Sequence, residues 1–230
     1  MKQRRVKRLL ITAGPTREML DPVRFLSNLS TGEMGYTLAR IAHKQKYQVT
    51  LISGPAALKP PRGVRFFSIT SAADLQRACR RLFPKHDALI MTAAVCDFTA
   101  AKKNSQKIRR THTRSFLLKQ TPDILAGLGR RKGKRTLIGF CLETEDWLKN
   151  AQNKLVRKHL DGIVANYYTK SHVPFGNRKI TTAFLEPGGK TRFLYHQSKP
   201  RIAAGLLKWM EGLGKRAEVK KHFKTRENSL

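Results

Sequence analysis

Short apolar runs alternate with stretches of helical period along most of this chain, and no other feature constrains its fold as strongly. Arg8–Ala13 reads as a first strand, broken at Gly14-Pro15-Thr16. A turn-rich loop from Asp21 to Ser30 leads into a helix from about Thr31 to Lys46, where Met34, Leu38, Ile41 and Ala42 recur at helical spacing. Val49–Ile52 and Val64–Ile69 read as strands, and Ser71 with Asp74 makes a capping arrangement before the next helix. Ala88–Thr92 reads as a buried strand ending in the small turn Ala93-Ala94. Thr121-Pro122-Asp123 predicts a helix start, with Thr121 as cap and proline in the first turn. Leu137–Phe140 and Gly162–Ala165 complete the strands around a helix from about Asp146 to Lys158.

Strands that alternate with helices must be joined by crossovers, which predicts a mainly parallel sheet covered on both faces. The end of the chain departs from this. Lys179–Leu185 and Thr191–Tyr195 flank Glu186-Pro187-Gly188-Gly189, an antiparallel hairpin, and a helix from about Lys199 to Leu213 follows. The predicted class is α/β: a Rossmann-like, three-layer fold with a mainly parallel sheet, helices on both faces and a C-terminal antiparallel hairpin. One domain is expected over residues 1–213, then a basic, flexible tail over 214–230.

A chain of 230 residues with 40% hydrophobic content can bury roughly 70% of its unfolded surface and needs no covalent staples. Cys79, Cys96 and Cys141 are odd in number and far apart, without CxxC, HxH or HExxH spacing, which argues against a disulfide framework or structural zinc and fits a reducing cytoplasm. No stretch approaches the ~18 apolar residues of a membrane span. The apolar run after Met1-Lys-Gln-Arg-Arg is too short and too abruptly ended for a signal peptide. The charge is unusual: 47 Lys and Arg face 15 Asp and Glu, a net +32. Two readings stand, a general basicity of the source proteome or a second, polyanionic partner such as nucleic acid bound non-specifically.

In such a sheet ligands bind at the carboxyl ends of the strands. Gly14, Ser30, Gly32 and Gly35 sit there, where small residues allow close backbone approach and a helix start aims free N–H groups outward. That suits a phosphate, and would equally serve an ordinary capped helix. A nicotinamide site is disfavoured: the first turn lacks G-x-G-x-x-G, and the second strand ends in Ser53-Gly54 rather than an acid able to grip a ribose.

Ile11-Thr-Ala-Gly-Pro-Thr-Arg-Glu18 followed by Asp21-Pro-Val-Arg-Phe-Leu-Ser-Asn28-Leu-Ser-Thr-Gly-Glu-Met-Gly35 closely resembles the opening signature of bacterial phosphopantothenoylcysteine synthetases. Ala93-Ala-Val-Cys-Asp97-Phe, Gln106-Lys107-Ile-Arg, Lys119-Gln-Thr-Pro-Asp123-Ile, Gly139-Phe-Cys-Leu-Glu143-Thr and Lys154-Leu-Val-Arg-Lys158…Asn166 follow in the family's order, so the resemblance covers roughly residues 8–210. It implies a cytoplasmic, homodimeric ligase of coenzyme A biosynthesis. Its substrates would be 4′-phosphopantothenate, L-cysteine and CTP, with ATP possible, and Mg²⁺ would sit on the phosphates. The metal would be held largely by the nucleotide. A carboxylate would attack the α-phosphate to form an acyl-nucleotide, and the cysteine amine would then displace the nucleoside monophosphate.

The resemblance also assigns roles. Asn28 matches the asparagine tied to turnover of the acyl-nucleotide, where a neutral amide donates to an oxyanion without acting as a base. Lys107 matches the lysine needed to form the anhydride, on a segment that resembles a mobile flap. Asp97, Phe140, Lys154, Lys158 and Asn166 match nucleotide-binding positions, as do Lys107 and the backbone at Gly14, Ser30, Gly32 and Gly35. Lys154 and Lys158 are four apart and share a helix face. The loop bearing Asp21 and Arg24 resembles one that completes the neighbouring subunit's site, with Arg24 either an intersubunit ion-pair partner or a carboxylate binder.

Three features depart from the family. The chain starts at the ligase strand, which implies no attached decarboxylase. Cys141-Leu142 replaces a common pair of alanines, and Glu33 stands where a basic residue is usual. The runner-up function is a basic nucleic-acid-binding protein on a degenerate ligase fold, against which the intact Asn28 and Lys107 argue.

Overall fold

The computed structural model describes residues 6–110 and 115–227, and for 214–227 the backbone only. Alternation along each strand sets the layers. In the first strand, β1 (Arg8–Ala13), Leu9, Ile11 and Ala13 point to one face of the sheet and Leu10 to the other, and each meets a separate apolar cluster. Burying both faces is what a parallel sheet under crossover helices requires. Each fully buried Leu or Ile in these clusters contributes roughly 1.5–3 kcal/mol.

Chain order runs β1, β2 (Arg17–Met19), β3 (Phe25–Ser27), α1 (Glu33–Lys44), β4 (Gln48–Ser53), β5 (Arg65–Ser68) and α2 (Ala72–Leu82). It continues with β6 (Ala88–Met91), β7 (Phe98–Ala100), β8 (Leu118–Gln120), α3 (Ile124–Gly129), β9 (Thr136–Glu143) and α4 (Trp147–Arg157). β10 (Gly162–Tyr167), β11 (Ile180–Leu185), β12 (Thr191–Gln197) and α5 (Lys199–Glu227) complete it. Eight strands form one sheet in the order β12-β11-β10-β9-β6-β1-β4-β5. From β5 to β10 all neighbours are parallel, and β11 and β12 pair antiparallel, as the Pro-Gly-Gly turn predicts. α1 and α5 cover one face and α2, α3 and α4 the other. Among the described residues no helix is long and apolar enough to cross a membrane.

Local chemistry explains the boundaries, including those that differ from expectation. The Ser71–Asp74 capping box is present in full. α1 opens two residues later than expected, behind Gly32 at φ 80°. α3 is capped by Asp123, whose Oδ1 accepts from Ala126 N at 3.0 Å, and not by Thr121. The hydroxyl of Thr121 instead donates to the Cys96 carbonyl at 2.5 Å. The hairpin pairs β2–β3 and β7–β8 lie outside the expected strand set, because three-residue strands carry too little period to be read. Past Gly214, where a loose tail is predicted, the backbone is helical to Glu227, in keeping with its Ala, Lys, Arg and Glu content. Residues 228–230 lie outside the described residues.

At the antiparallel end, Trp209 on α5 stacks on Phe184 with centroids 4.9 Å apart, and its Nε1 donates to Glu186 Oε1 at 2.8 Å. Gly162 makes room: a Cβ there would lie 2.4 Å from the Trp209 ring. This locks α5 over the sheet and fixes the span from β10 to β11 that borders the site.

Candidate active site

From β1 the chain moves outward through β4 to β5, then returns to the far side of β1 and moves outward through β6, β9 and β10. The order therefore reverses between β1 and β6, the place where sheets of this kind bind ligands at the strands' carboxyl ends. Beside that point, over the carboxyl ends of β6 and β9, opens a cavity of about 960 Å³. Its floor is Ala93, Ala94 and Val95 beyond β6; its walls are Phe140, Cys141 and Leu142 of β9, the start of α3, Lys154 and Arg157 of α4, and Lys158 at that helix's C-cap. Tyr168 and Phe175, from the loop after β10, close one side.

Two backbone bonds and one to a side chain stitch the loops after β1 and β6 together. Ala94 N donates to Gly14 O at 2.9 Å, Thr16 N to Ala94 O at 3.1 Å, and Cys96 N to Thr16 Oγ1 at 2.9 Å. The same Ala94 carbonyl accepts from Asn28 Nδ2 at 3.0 Å, which fixes the amide plane at the cavity rim.

Lys154 on α4 and Lys158 at its C-cap both face the cavity, as their spacing predicts, and each is held by a carboxylate. Lys154 Nζ lies 2.5 Å from Glu143 Oε1, and Lys158 Nζ lies 3.1 Å from Asp123 Oδ2. Asp123 thus serves as helix cap and counter-ion at once. Asp97 lines the cavity, and its carbonyl accepts from Thr121 N at 2.9 Å. The cavity therefore collects Asn28, Asp97, Phe140, Lys154 and Lys158.

Other expected residues lie outside its lining. Gly14 (φ 69°) turns the chain where a Cβ would sit 2.8 Å from the Gly54 carbonyl. Gly35 packs α1 onto β1, and Ser30 Oγ accepts from Gly32 N at 3.3 Å. These residues set the approach of the α1 N-terminus to the strand ends. Asn166 is on β10, in register with Leu142, and its Oδ1 is buried with no hydrogen-bond partner among the described residues.

Lys107 stands apart, exposed on the segment between β7 and β8, whose residues 111–114 lie outside the described residues. It borders a second cavity of about 510 Å³ with Arg24, Gln106 and Ile108–Arg110. Asp21 anchors this segment to the β2–β3 turn. Its buried carboxylate accepts from Val23 N and Arg24 N at 2.8 Å each and from Ile108 N at 3.1 Å, while Arg24 Nη1 donates to Ile108 O at 3.0 Å. Burial alone would push the Asp21 carboxyl up; the backbone donors and the Arg24 charge outweigh it and hold it below the ordinary value.

Sequence reasoning assigns no role to Asp123, Glu143 or Lys199. Asp123 carries a signal, its position before a helix, and Glu143 lies in a segment that the resemblance quotes; Lys199 carries none. Lys199, at the start of α5, is buried and donates to the carbonyls of Pro174 (3.1 Å) and Gly176, on either side of Phe175. Burial pushes its ammonium down, with the charge of Glu33 acting in the other direction. No cysteine suits a nucleophile: burial, then the charge of Glu143, pushes Cys141 up to about 12, and burial pushes Cys79 up to about 12.

The family model for the DNA/pantothenate metabolism flavoprotein C-terminal domain matches residues 4–213. The bifunctional coenzyme A biosynthesis protein CoaBC of Bacillus subtilis (strain 168) is 42% identical over 212 residues, covering 91% of this chain and 52% of its own length. The chain thus spans about half of that relative. The crystal structure of the C-terminal domain of a CoaBC protein is 36% identical, with a TM-score of 0.78 over 91% of this chain and 96% of that one. The DNA/pantothenate metabolism flavoprotein of Streptococcus pneumoniae is 25% identical, with a TM-score of 0.79 over 90% and 99%.

Proposed function

The chain belongs to the DNA/pantothenate metabolism flavoprotein C-terminal domain family, and on that premise we propose that it is a ligase joining 4′-phosphopantothenate to L-cysteine. The observation that carries this reading is the cavity that draws Asn28, Asp97, Phe140, Lys154 and Lys158 together from separate segments. In the first step the substrate carboxylate attacks the α-phosphorus and pyrophosphate leaves. In the second the cysteine amine attacks the acyl carbon and the nucleoside monophosphate leaves. Both steps crowd anions together, so cations and amide donors matter more than a protein nucleophile.

In this reading Lys154 and Lys158 hand Glu143 and Asp123 over in exchange for phosphate oxygens, and Phe140 walls the base. Asp97 and the unpaired Asn166 Oδ1 offer acceptors to the nucleotide, and the α1 N-terminus behind Ser30 and Gly32 faces a phosphate. Asn28 supports the oxyanion of the acyl step. Lys107 offsets repulsion between carboxylate and α-phosphate once its segment closes, or once a second copy brings it in. A homodimer sharing the Asp21–Arg24 loop is the form we favour, and cytoplasm the location. The nucleotide is CTP in preference to ATP, with Leu142 and Cys141 on the wall that tests the base. Among the described residues no group of three His, Cys, Asp or Glu could hold a metal ion, so Mg²⁺ would ride on the phosphates and would supply neutralisation of their charge.

The test is pyrophosphate release by the purified chain with Mg²⁺, 4′-phosphopantothenate and L-cysteine, CTP compared with ATP. Release that depends on phosphopantothenate, with new phosphopantothenoylcysteine by mass, is expected. Asn28→Asp should release pyrophosphate and accumulate acyl-nucleotide, and Lys107→Gln should release little. No release with either nucleotide would sink the reading.

A further inference from the structure

The cavity uses few of the chain's cations. A denser group lies at the other end of the sheet, where the strands begin. Lys7 and Arg8 open β1, Arg65 opens β5, and Lys85 precedes β6. The turn into β9 adds Arg130, Arg131, Lys132, Lys134 and Arg135, and Arg81 comes from the last turn of α2. The register and cross-links make this one surface. Arg135 Nη2 donates to Pro84 O at 2.9 Å, Asp87 N to Arg8 O at 2.9 Å, and Thr136 N to Asp87 O at 3.1 Å. Arg8 and Arg65 both lie near enough to His86 to help hold its pKa down, after burial.

Only two carboxylates engage this group in the described residues: Asp87 with Arg8 at 2.9 Å and Asp161 with Lys132 at 2.5 Å. Arg130, Arg131, Lys85 and Lys134 are exposed. Several guanidinium groups are held on aromatic rings: Arg65 and Arg81 over Phe67 at 5.0 and 5.6 Å, Arg135 over Phe83 at 5.9 Å. The carbonyl ends of the covering helices point the same way, which stabilises cations there.

We infer that this strand-start surface docks the phosphodiester backbone of a double-stranded nucleic acid without regard to base sequence. From β5 to β9 the five strand starts span roughly 19 Å at ~4.8 Å per strand. A duplex presents about eleven phosphates over that length, at one per ~1.7 Å of axis. Fork-shaped guanidinium groups match phosphate oxygens in pairs, and arginine supplies much of the group. The surface is at the amino ends of the strands and the cavity at their carboxyl ends, so the docked duplex leaves the cavity free.

The test is binding of the full chain to a labelled 20-base-pair DNA duplex across a salt series. One triple variant is Arg130→Gln, Arg131→Gln, Lys134→Gln; the control is Lys170→Gln, Arg178→Gln, Lys179→Gln, exposed beyond the carboxyl end of β10. The side-chain bonds that tie this turn to the rest of the fold come from Lys132 and Arg135, which both variants keep. The patch variant should lower the slope of log K against log salt by about 2–3, since each phosphate left without its cation removes ~0.9. The control should leave it within about one. Saturating CTP with Mg²⁺ should not displace the duplex. Equal losses in the two variants, displacement by CTP, or no binding by the parent chain near 0.1 M salt would each overturn the assignment.

Discussion

Gly35→Ala gives a test in which two effects of known size oppose each other. Gly35 is the third residue of α1, in its first turn, with ordinary helical backbone, so alanine should stabilise by up to about 1 kcal/mol through reduced backbone entropy in the unfolded chain and better helix propensity. The space forbids it. A Cβ at Gly35 would lie 2.5 Å from Ala13 Cβ, 2.6 Å from Thr92 Oγ1 and 3.0 Å from Thr12 O. Carbon contacts are optimal near 3.5–4.0 Å, and none of these atoms is free to swing away. Ala13 is buried at the end of a central strand, and the Thr92 hydroxyl is bonded to Thr12 O at 2.6 Å. Relief therefore requires α1 to move off β1, and overpacking of this severity costs about 3 kcal/mol, the upper part of the usual range. The net loss is about 2 kcal/mol, or a Tm lower by roughly 4–8 °C in a domain of this size. Gly127→Ala and Gly212→Ala, helical glycines with nothing within 4 Å of the added carbon, are the controls and should raise Tm by roughly 2–4 °C. Thermal unfolding by circular dichroism reads all three. A Tm for Gly35→Ala that rises with the controls would falsify the close-approach argument.

Asp123→Ala should cost about 1 kcal/mol through loss of the α3 cap, while Asp123→Asn, which keeps an acceptor, should cost a fraction of that; equal shifts in denaturant midpoint would mean the pair with Lys158 matters more than the cap. Burial holds the His86 imidazole below its ordinary 6.5, helped by Arg8 and Arg65 and against the Leu82 carbonyl. Above pH 6.5 both folded and unfolded states are neutral there; as pH falls, the unfolded chain takes the proton first and stability drops. The stability of the parent chain minus that of His86→Gln should therefore decline from pH 7 to pH 5, and parallel curves would refute this. Asp21→Asn should weaken the anchor at Ile108 and speed tryptic cleavage at Lys102, Lys103 and Lys107, with little change in the cleavage of α2; unchanged cleavage would show that Arg24 suffices alone.

Most of the sheet was legible because buried parallel strands are continuous apolar runs with turn residues at their ends. β1, β4, β6, β9 and β10 all lie within a residue or a few of the predicted runs. The hairpin pairs β2–β3 and β7–β8 were not legible, since their pairing depends on where the loops after β1 and β6 meet in space. The site divides the same way. Lys154 and Lys158 follow from helical spacing, and Asn28 and Asp97 come from loops that the resemblance alone singled out. The pairing of Lys154 with Glu143, and the burial of Lys199 beneath the loop bearing Phe175, are tertiary facts that no local pattern encodes. Thr121 misled for a physical reason: threonine and aspartate both cap helices, and the backbone chose the one nearer the first free N–H.

The carboxylates seated against Lys154 and Lys158 turn the cavity into something like a loaded ion-exchange resin. In a chain of net charge +32, bare ammonium groups in a cleft would collect whatever small anions the solvent holds. With Glu143 and Asp123 as resident counter-ions, a monovalent anion gains little by entering, because it must evict a partner at least as well placed. On the proposed function, a polyphosphate would meet both lysines at once and replace two separate ion pairs with one multivalent contact, leaving the released carboxylates beside it. Selection would then be by valence, and would operate before any part of the ligand beyond its charge is examined.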